Sequence, residues 1–196
     1  MKLVIGLVAK KLSGKETFGD MLQNCLLNSG YALNRHRFSD ILNETADKWS
    51  ISRDRKNLQK LAKIMDDAFG KGTLTRAVFK RFKDDPAEIV IADGVRWESD
   101  EEMIRGLPAG QSLLIYLTAD PQVRYERSLK RKRDGEEKKT FEEFMKEEQA
   151  STETSISAIG SRADFTIQNN GTPEKFKQKV EELFYTQILP LLQARE

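Results

Sequence analysis

The sequence predicts an α/β fold in which helices cover both faces of a parallel β-sheet. Three short runs are almost continuously apolar, and they read "LVIGLV" (3–8), "EIVIA" (88–92) and "SLLIYL" (112–117). Strands that are buried on both faces of a parallel sheet have this continuous pattern, whereas half-exposed strands alternate. Segments with helical spacing separate the runs, and this alternation is typical of a three-layer α/β/α architecture with about five parallel strands.

The composition is that of a globular protein with a well-solvated surface. The 196 residues suffice for one domain (1–196) with a full core. The 33 basic and 31 acidic side chains leave a net charge of +2, so no nucleic-acid partner is expected. The single cysteine, Cys25, fits a reducing compartment. No signal peptide is evident and no apolar run approaches ~20 residues, so we expect a cytoplasmic protein without a membrane partner.

Five strands and the helices between them follow from the pattern of apolar residues. The predicted strands are 3–8, 31–37, 88–94, 112–118 and 164–171, the last with its turn. The predicted helices run from Lys15 to Gly30, over 39–85 with an interruption at 70–73, over 121–133, from Thr140 and from residue 173. Thr140 and Glu143 form a capping box. The last helix is expected to bury Phe176, Val180, Leu183, Phe184 and Leu191.

The stretch "GLVAKKLSGKETF" from Gly6 resembles a phosphate-binding P-loop, G-x-x-x-x-G-K-[ST]. Gly14 and Lys15 match the motif, whereas Ala9 replaces its first glycine and Glu16 replaces its Ser or Thr. The predicted order of strand, loop and helix is the context that the motif requires, because the amides and dipole of a helix N-terminus face the anion. The pattern therefore predicts a nucleotide-phosphate site.

Individual residues of this loop have distinct expected roles. Gly14 lets the backbone approach a phosphate, and Lys15 brings a positive charge to the β- and γ-phosphates. Thr17 supplies the hydroxyl group that Glu16 lacks. The alternative interpretation is an ordinary surface helix that Ser13 caps.

A second motif follows the third predicted strand. "IVIADG" places Asp93 after four apolar residues, which is a Walker-B-like pattern. A carboxylate at the carboxyl end of a parallel strand lies beside the P-loop, where it holds Mg²⁺ or orients the attacking oxygen. A turn aspartate after a core strand is the alternative interpretation.

A basic segment, "DPQVRYERSLKRKRDG", follows the fourth predicted strand. Arg124, Arg127 and Arg131 share one face of a helix because of their spacing. Arginines on a closing lid neutralise the charge of a transferring phosphoryl group, and "DGEEKK" (134–139) suits a hinge. A solvated helix face and an RNA-binding patch are the alternatives.

Together these motifs resemble the P-loop nucleoside monophosphate kinases over nearly the whole chain, and most closely their deoxynucleoside monophosphate kinase and dephospho-CoA kinase branch. "SGKET" is similar to the family's G-K-[DG]-T variant, which retains the later threonine. The resemblance implies a P-loop NTPase fold with a helical acceptor-binding insert (39–85) and an arginine-rich lid (124–150). It also implies ATP as the phosphoryl donor and Mg²⁺ as the cofactor, with Thr17 and Asp93 as metal ligands.

Four further segments extend the resemblance to individual site residues. "FSDILNE" (38–44), "RKNLQKLAKIM" (55–65) and "DGVRWESDEEM" (93–103) are similar to acceptor-binding segments of the family. They imply acceptor contacts from Ser39, Asp40, Arg55 and Arg96, the last in a loop. "ADFTIQNNGT" (163–172) is similar to the loop on the donor adenine. The expected ATP-binding residues are Ser13, Gly14, Lys15, Glu16, Thr17, Arg127, Asn169 and Gly171. The expected catalytic residues are Lys15, Asp93, Arg127 and Arg131.

The leading hypothesis is therefore an ATP-dependent kinase that acts on a small nucleotide, with a (deoxy)nucleoside monophosphate as the favoured acceptor. Dephospho-CoA kinase-like activity stays open, and in it Asp93 would act as a base toward a hydroxyl group. A non-catalytic nucleotide-binding regulator also stays open, because Ala9 and Glu16 depart from the motif. An RNA-binding α/β protein is the weakest alternative, since the net charge is close to zero.

Overall fold

The computed structural model describes residues 2–131, 140–148 and 151–194, apart from the side chains of Arg55 and residues 151–154. A parallel sheet with the strand order β2-β3-β1-β4-β5 forms its centre. The strands are β1 Leu3–Ala9, β2 Leu33–Arg37, β3 Ile89–Val95, β4 Ser112–Thr118 and β5 Phe165–Gln168. This five-stranded parallel sheet confirms the predicted α/β fold class.

Helices connect the strands and cover both faces of the sheet. Their bounds are α1 Lys15–Asn28, α2 Phe38–Lys48, α3 Arg55–Phe69, α4 Thr73–Asp84, α5 Glu98–Arg105, α6 Pro121–Arg131, α7 Phe141–Glu147, α8 Ser151–Gly160, α9 Pro173–Leu183 and α10 Leu189–Gln193. A π-helical turn, Phe184–Ile188, joins α9 to α10. Within the described ranges, no helix has the length and apolarity needed to cross a membrane.

The core has two layers, one on each face of the sheet. Side chains alternate along a strand, so Leu3 and Ile5 of β1 join the layer that contains α1 and α9, whereas Val4 and Val8 join the other layer. That second layer contains buried residues of α4, α5 and α8. Burial on both faces explains why the strand sequences are apolar at nearly every position.

The predicted helical insert consists of three helices, α2, α3 and α4. The interruption at 70–73 is confirmed, but a second break at 49–54 is absent from the sequence-based prediction. There the Ser50 backbone is left-handed (φ 54°), and the Asp54 side chain caps α3 by accepting a hydrogen bond from the Asn57 backbone N–H (2.9 Å). Residues 52–57 contain no apolar side chain, so the apolar spacing carries no information about where the helix breaks.

The structure corrects two further predictions, the loop at 94–103 and the burial of Leu191. It also contains a helix, α8, that the sequence-based prediction lacks. Most of the predicted loop at 94–103 is helical. Asp100 accepts a hydrogen bond from the Trp97 backbone N–H (3.1 Å), and α5 begins at Glu98, the residue after Trp97. At the C-terminus, Leu192 is buried and Leu191 only partly buried. The π-helical turn widens the helix by one residue per turn there, so the apolar face moves to the following residue.

Candidate active site

The candidate site lies at the carboxyl ends of the central strands. After β1 the chain forms α1 and then β2, which lies to one side of β1 in the sheet. Strand β4, later in the chain, lies on the other side of β1. Ligands of open parallel sheets bind in the crevice at such a reversal of strand order. The turn after β1, the start of α1 and the end of β3 all meet there.

A tight turn leads from β1 into α1. The Ser13 backbone N–H donates to the Lys10 carbonyl (3.3 Å), and the Leu12 backbone is left-handed (φ 64°). Gly14, immediately before α1, has φ 97°. A Cβ at Gly14 would lie 2.4 Å from Nδ2 of Asn169, which donates to the Ser13 carbonyl (3.0 Å). Backbone conformation and space therefore both require glycine at this position.

We expect Gly14→Ala to lower the free energy of unfolding by about 2–3 kcal/mol, because left-handed backbone is unfavourable for alanine and the methyl group also displaces Asn169. Gly110→Ala is the matched control, since Gly110 also has positive φ (77°) but a Cβ there meets nothing within 4 Å. Urea unfolding measures both variants. Equal losses would show that the close approach of Asn169 contributes nothing.

Two polar groups beside the turn suit an anionic ligand. Ser13 is fully buried, and its hydroxyl group has no hydrogen-bond partner among the described residues. Arg127 donates to the carbonyls of Leu12 (3.1 Å) and Asn169 (2.8 Å) and pairs with no carboxylate in the described ranges. Burial lowers the pKa of this guanidinium. A buried hydroxyl and a partly desolvated cation at a helix N-terminus fit the phosphates of ATP.

The structure brings Lys15 and Asp93 together. Lys15 is the first residue of α1, and its Nζ lies 2.5 Å from Asp93 Oδ1. The Asp93 side chain is fully buried near the end of β3, where Gly94 (φ 97°) forms a bulge against β1. The carboxylate therefore lies beside the turn, as the sequence predicts, although β3 continues to Val95.

Two arginines of β2, which no motif in the sequence indicates, complete this cluster. Arg35 Nε and Nη2 lie 2.7 and 2.5 Å from Asp93 Oδ2, and Arg37 Nε lies 3.5 Å from the same oxygen. The Glu16 carboxylate pairs with both arginines, and the expected contact of Glu16 with a nucleotide stays a prediction. Arg35 and Arg37 alternate with His36 in a strand, and that spacing was the available signal for a shared face.

The implied acceptor residues occupy different environments. Asp40 accepts the Arg37 backbone N–H (3.1 Å) at the start of α2, and Ser39 is exposed beside it. Arg96 is exposed between β3 and α5. The Arg55 side chain lies outside the described part of the chain. Contacts of these four residues with an acceptor stay predictions.

Asp100 is a buried carboxylate that no motif in the sequence indicates. Its Oδ2 accepts the backbone N–H groups of Arg96 (3.0 Å) and Trp97 (3.1 Å), and its Oδ1 accepts the Thr75 hydroxyl (2.6 Å). Burial raises the pKa of Asp100, and these hydrogen bonds offset only part of that effect. Asp100 thus holds the connection between β3 and α5 in place, and this connection exposes Arg96 and the Trp97 ring to solvent.

The predicted lid arginines have unlike surroundings. Arg124 is fully buried, and its Nη1 and Nη2 donate to Glu148 (2.6 and 2.7 Å). Its interpretation as a mobile lid arginine is therefore wrong, because its guanidinium is committed to a partner inside the protein. Arg127 reaches the turn, and Arg131 is exposed at the end of α6. The predicted hinge at 134–139 lies outside the described residues.

Two lysines of the turn after β1 contact the end of α7 and the residue that follows it. Lys10 Nζ lies 3.4 Å from Glu148 Oε2, and Lys11 Nζ lies 2.5 Å from Glu147 Oε2. Lys11 Nζ also lies 4.2 Å from the centre of the Phe144 ring, which is cation–π distance. The part of the predicted lid that the structure describes thus packs directly on the turn.

The remaining predicted site residues lie around the same end of the sheet. Thr17 is exposed on α1, and Gly171 is exposed after β5. Asn169 is buried and supports the turn through Ser13, so a contact with adenine stays a prediction. Among the described residues, no group of three or more His, Cys, Asp or Glu is placed to hold a metal ion.

The chain has a P-loop kinase-like fold. A shikimate kinase of Bacteroides thetaiotaomicron superposes with a TM-score of 0.59 at 15% identity, over 93% of this chain and 98% of that one. A dephospho-CoA kinase of Campylobacter jejuni gives 0.55 at 16% identity, over 94% and 96%. A protein of Thermus thermophilus gives 0.61 at 16% identity, over 95% and 98%. At such identities the similarity concerns the fold alone.

Sequence comparison places the chain among archaeal relatives, although no protein-family model matches it. A UPF0200 protein of Sulfurisphaera tokodaii is 34% identical over 146 residues, which cover 74% of this chain and 78% of that protein. A UPF0200 protein of Hyperthermus butylicus is 26% identical over 144 residues, which cover 74% and 76%. The chain belongs to the UPF0200 family.

Proposed function

We propose that this protein is an ATP-dependent phosphotransferase that moves the γ-phosphoryl group of Mg·ATP to a nucleotide, preferably a (deoxy)nucleoside monophosphate. The observation that carries the proposal is the pairing of Lys15, at the start of α1, with Asp93, at the end of β3 (2.5 Å). P-loop phosphotransferases use a lysine at a helix N-terminus and a carboxylate beside it. The kinase-like fold supports this reading of the pair.

Residues of the turn and of α1 would bind the donor. The first N–H groups of α1 and the buried Ser13 hydroxyl would face the phosphates, and Lys15 would exchange Asp93 for a phosphate oxygen. Glu16 would contribute its backbone N–H, since its carboxylate is paired elsewhere. Thr17 and Asp93 would hold Mg²⁺, which takes its other ligands from phosphate and water.

Residues from the C-terminal half would complete the donor site. Arg127 and Arg131 would neutralise charge on the transferring phosphoryl group, since arginine forms bidentate bonds with phosphate. Arg127 is the better placed of the two, because it already donates to the Leu12 carbonyl (3.1 Å). Asn169 and Gly171 would lie near the adenine.

The nature of the acceptor determines what Asp93 does. Its Oδ1 contacts Lys15 and its Oδ2 contacts Arg35, so its orientation is fixed. A monophosphate acceptor attacks through an oxygen that is already ionised, and Asp93 then only orients the reactants. Dephospho-CoA kinase-like activity is the second candidate, in which Asp93 takes the proton of a hydroxyl group.

Arg127→Ala should lower kcat about 100-fold and change the acceptor KM little, because it removes a contact made chiefly in the transition state. Arg127→Lys keeps the positive charge but lacks the planar guanidinium group, so its kcat should be only partly restored relative to Arg127→Ala. Steady-state kinetics of ADP formation measure both variants. A change confined to KM would remove Arg127 from the donor site.

The proposal is tested by an ADP-release screen with Mg·ATP. The acceptors are the ribo- and deoxynucleoside monophosphates and dephospho-CoA, and Lys15→Ala is the blank for contaminating kinases. We expect ADP release with one or a few monophosphates in the wild type alone. Release with dephospho-CoA alone would support the second candidate. ATP binding without ADP release on any acceptor would support a non-catalytic regulator instead.

A further inference from the structure

The Glu16 carboxylate lies where two arginines would hold an anion. Its Oε2 is 3.0 Å from Arg35 Nη1 and 2.7 Å from Arg37 Nη2, so a single oxygen bridges two guanidinium groups. Paired guanidinium groups are well suited to phosphate. We propose that the Arg35–Arg37 pair binds the acceptor's phosphate, and that Glu16 is a built-in competitor which selects for phosphate monoesters. This inference rests on the proposed function and extends it to the class of acceptor.

The interior of α1 is adapted to Arg35. Gly19 is an interior residue of this helix, one turn after its start, where glycine is unfavourable. A Cβ at Gly19 would lie 2.8 Å from Arg35 Nη1 and 3.4 Å from its Cζ. Glycine therefore lets the guanidinium lie against the helix and reach both Asp93 and Glu16. The helix accepts an unfavourable residue at the position where this arginine crosses it.

The arginine pair is adjacent to the proposed donor site. Asp93 contacts Lys15 through Oδ1 and Arg35 through Oδ2, each at 2.5 Å. The buried Asp93 carboxylate thus lies between Lys15, which would bind the donor phosphates, and Arg35, which would bind the acceptor phosphate. Direct transfer requires donor and acceptor groups to be held next to each other. A phosphate that replaces the Glu16 carboxylate satisfies this requirement.

Glu16 is held loosely enough for a substrate to displace it. The side chains of Glu16 and Arg37 are 53% and 47% exposed, and exposed ion pairs contribute little free energy. Arg35 is only 18% exposed and stays paired with Asp93 when Glu16 leaves. A doubly charged phosphate attracts the pair more strongly than a carboxylate does, whereas a hydroxyl group does not. By competing for the arginine pair, Glu16 therefore favours acceptors that carry a phosphate monoester over acceptors that lack one.

Binding of inorganic phosphate tests this inference without ATP or turnover. Calorimetry on the full chain is done at about pH 8, where phosphate is doubly charged. The Lys15→Ala background weakens phosphate binding to the turn. In this background, Glu16→Gln should tighten phosphate binding about fivefold, because the competing carboxylate is gone. Arg37→Ala should weaken it about tenfold or more, because a charged donor is lost.

Two exposed residues provide matched controls. Asp20→Asn removes the same charge one turn further along α1, and Lys177→Ala removes an exposed cation on α9. Each should change phosphate affinity by less than about twofold, because in the described contacts neither side chain pairs with Arg35 or Arg37 and exposed charges contribute little. Thermal unfolding verifies that every variant is folded.

Equal affinities for Glu16→Gln and Asp20→Asn would overturn the competitor role. Unchanged affinity in Arg37→Ala would overturn the anion site itself. These outcomes are independent of catalysis. A chain that shows the expected affinities but fails the ADP-release screen loses the phosphotransferase proposal and keeps the anion site.

Discussion

Lys15→Ala is expected to lower the kcat of ADP formation by about 10³-fold, because it removes a preorganised positive charge from the transferring phosphoryl group. The fold should survive, since Asp93 keeps Arg35 as a partner at 2.5 Å when Lys15 is lost. Kinetics with the acceptor found in the screen measure the effect, and circular dichroism checks the fold.

Lys63→Ala is the control for this variant. Lys63 is 73% exposed on α3 and pairs only with Asp67 among the described residues. It should leave kcat within about twofold of the wild-type value, because such surface pairs contribute little. An unchanged kcat in Lys15→Ala would contradict the assignment of the turn as the donor site.

Glu148→Ala should be the most destabilising of the substitutions considered, with a loss of about 3–5 kcal/mol of unfolding free energy, because it leaves the Arg124 charge buried and unpaired. Arg124 is 1% exposed, and each of its two terminal nitrogens donates a hydrogen bond to Glu148. Glu44→Ala is the control, since it breaks the exposed Arg81–Glu44 pair, and it should cost less than about 1 kcal/mol. Similar urea midpoints for the two variants would contradict this account.

The same ion pair makes stability depend on pH. Burial raises the pKa of Glu148, but hydrogen bonds and charge from Arg124, together with Lys10, outweigh burial and hold the pKa below its ordinary 4.5. A carboxyl group with a lowered pKa stabilises the fold above its unfolded pKa, and that contribution is lost as pH falls through the folded pKa. The double variant Arg124→Met, Glu148→Leu should therefore lose less stability than the wild type as pH falls below 4.5.

Local features of the fold and site were predictable from the sequence. The apolar runs at 3–8 and 112–118 predicted buried strands, and the Thr140–Glu143 capping box predicted the start of α7. Gly14 and Lys15 predicted the turn and helix that the structure contains. Each of these signals lies within a few neighbouring residues, where spacing and capping rules apply.

Features that depend on distant partners were not predictable in this way. The burial of Arg124 depends on Glu148, 24 residues away, and charge spacing alone makes Arg124 look like a surface residue. Arg35 reaches Asp93 only because β2 pairs with β3, 58 residues apart in the chain. Such pairings are set by strand order and helix packing, which the sequence does not display as a local pattern.

The turn after β1 and the start of α1 form the proposed binding site for nucleotide phosphates. Amide hydrogen exchange with and without a saturating, non-hydrolysable Mg·ATP analogue tests it most directly. We expect slower exchange over residues 10–17 in the wild type, and little change there in Lys15→Ala at the same nucleotide concentration. Unchanged exchange over 10–17, with protection elsewhere in the chain, would contradict it.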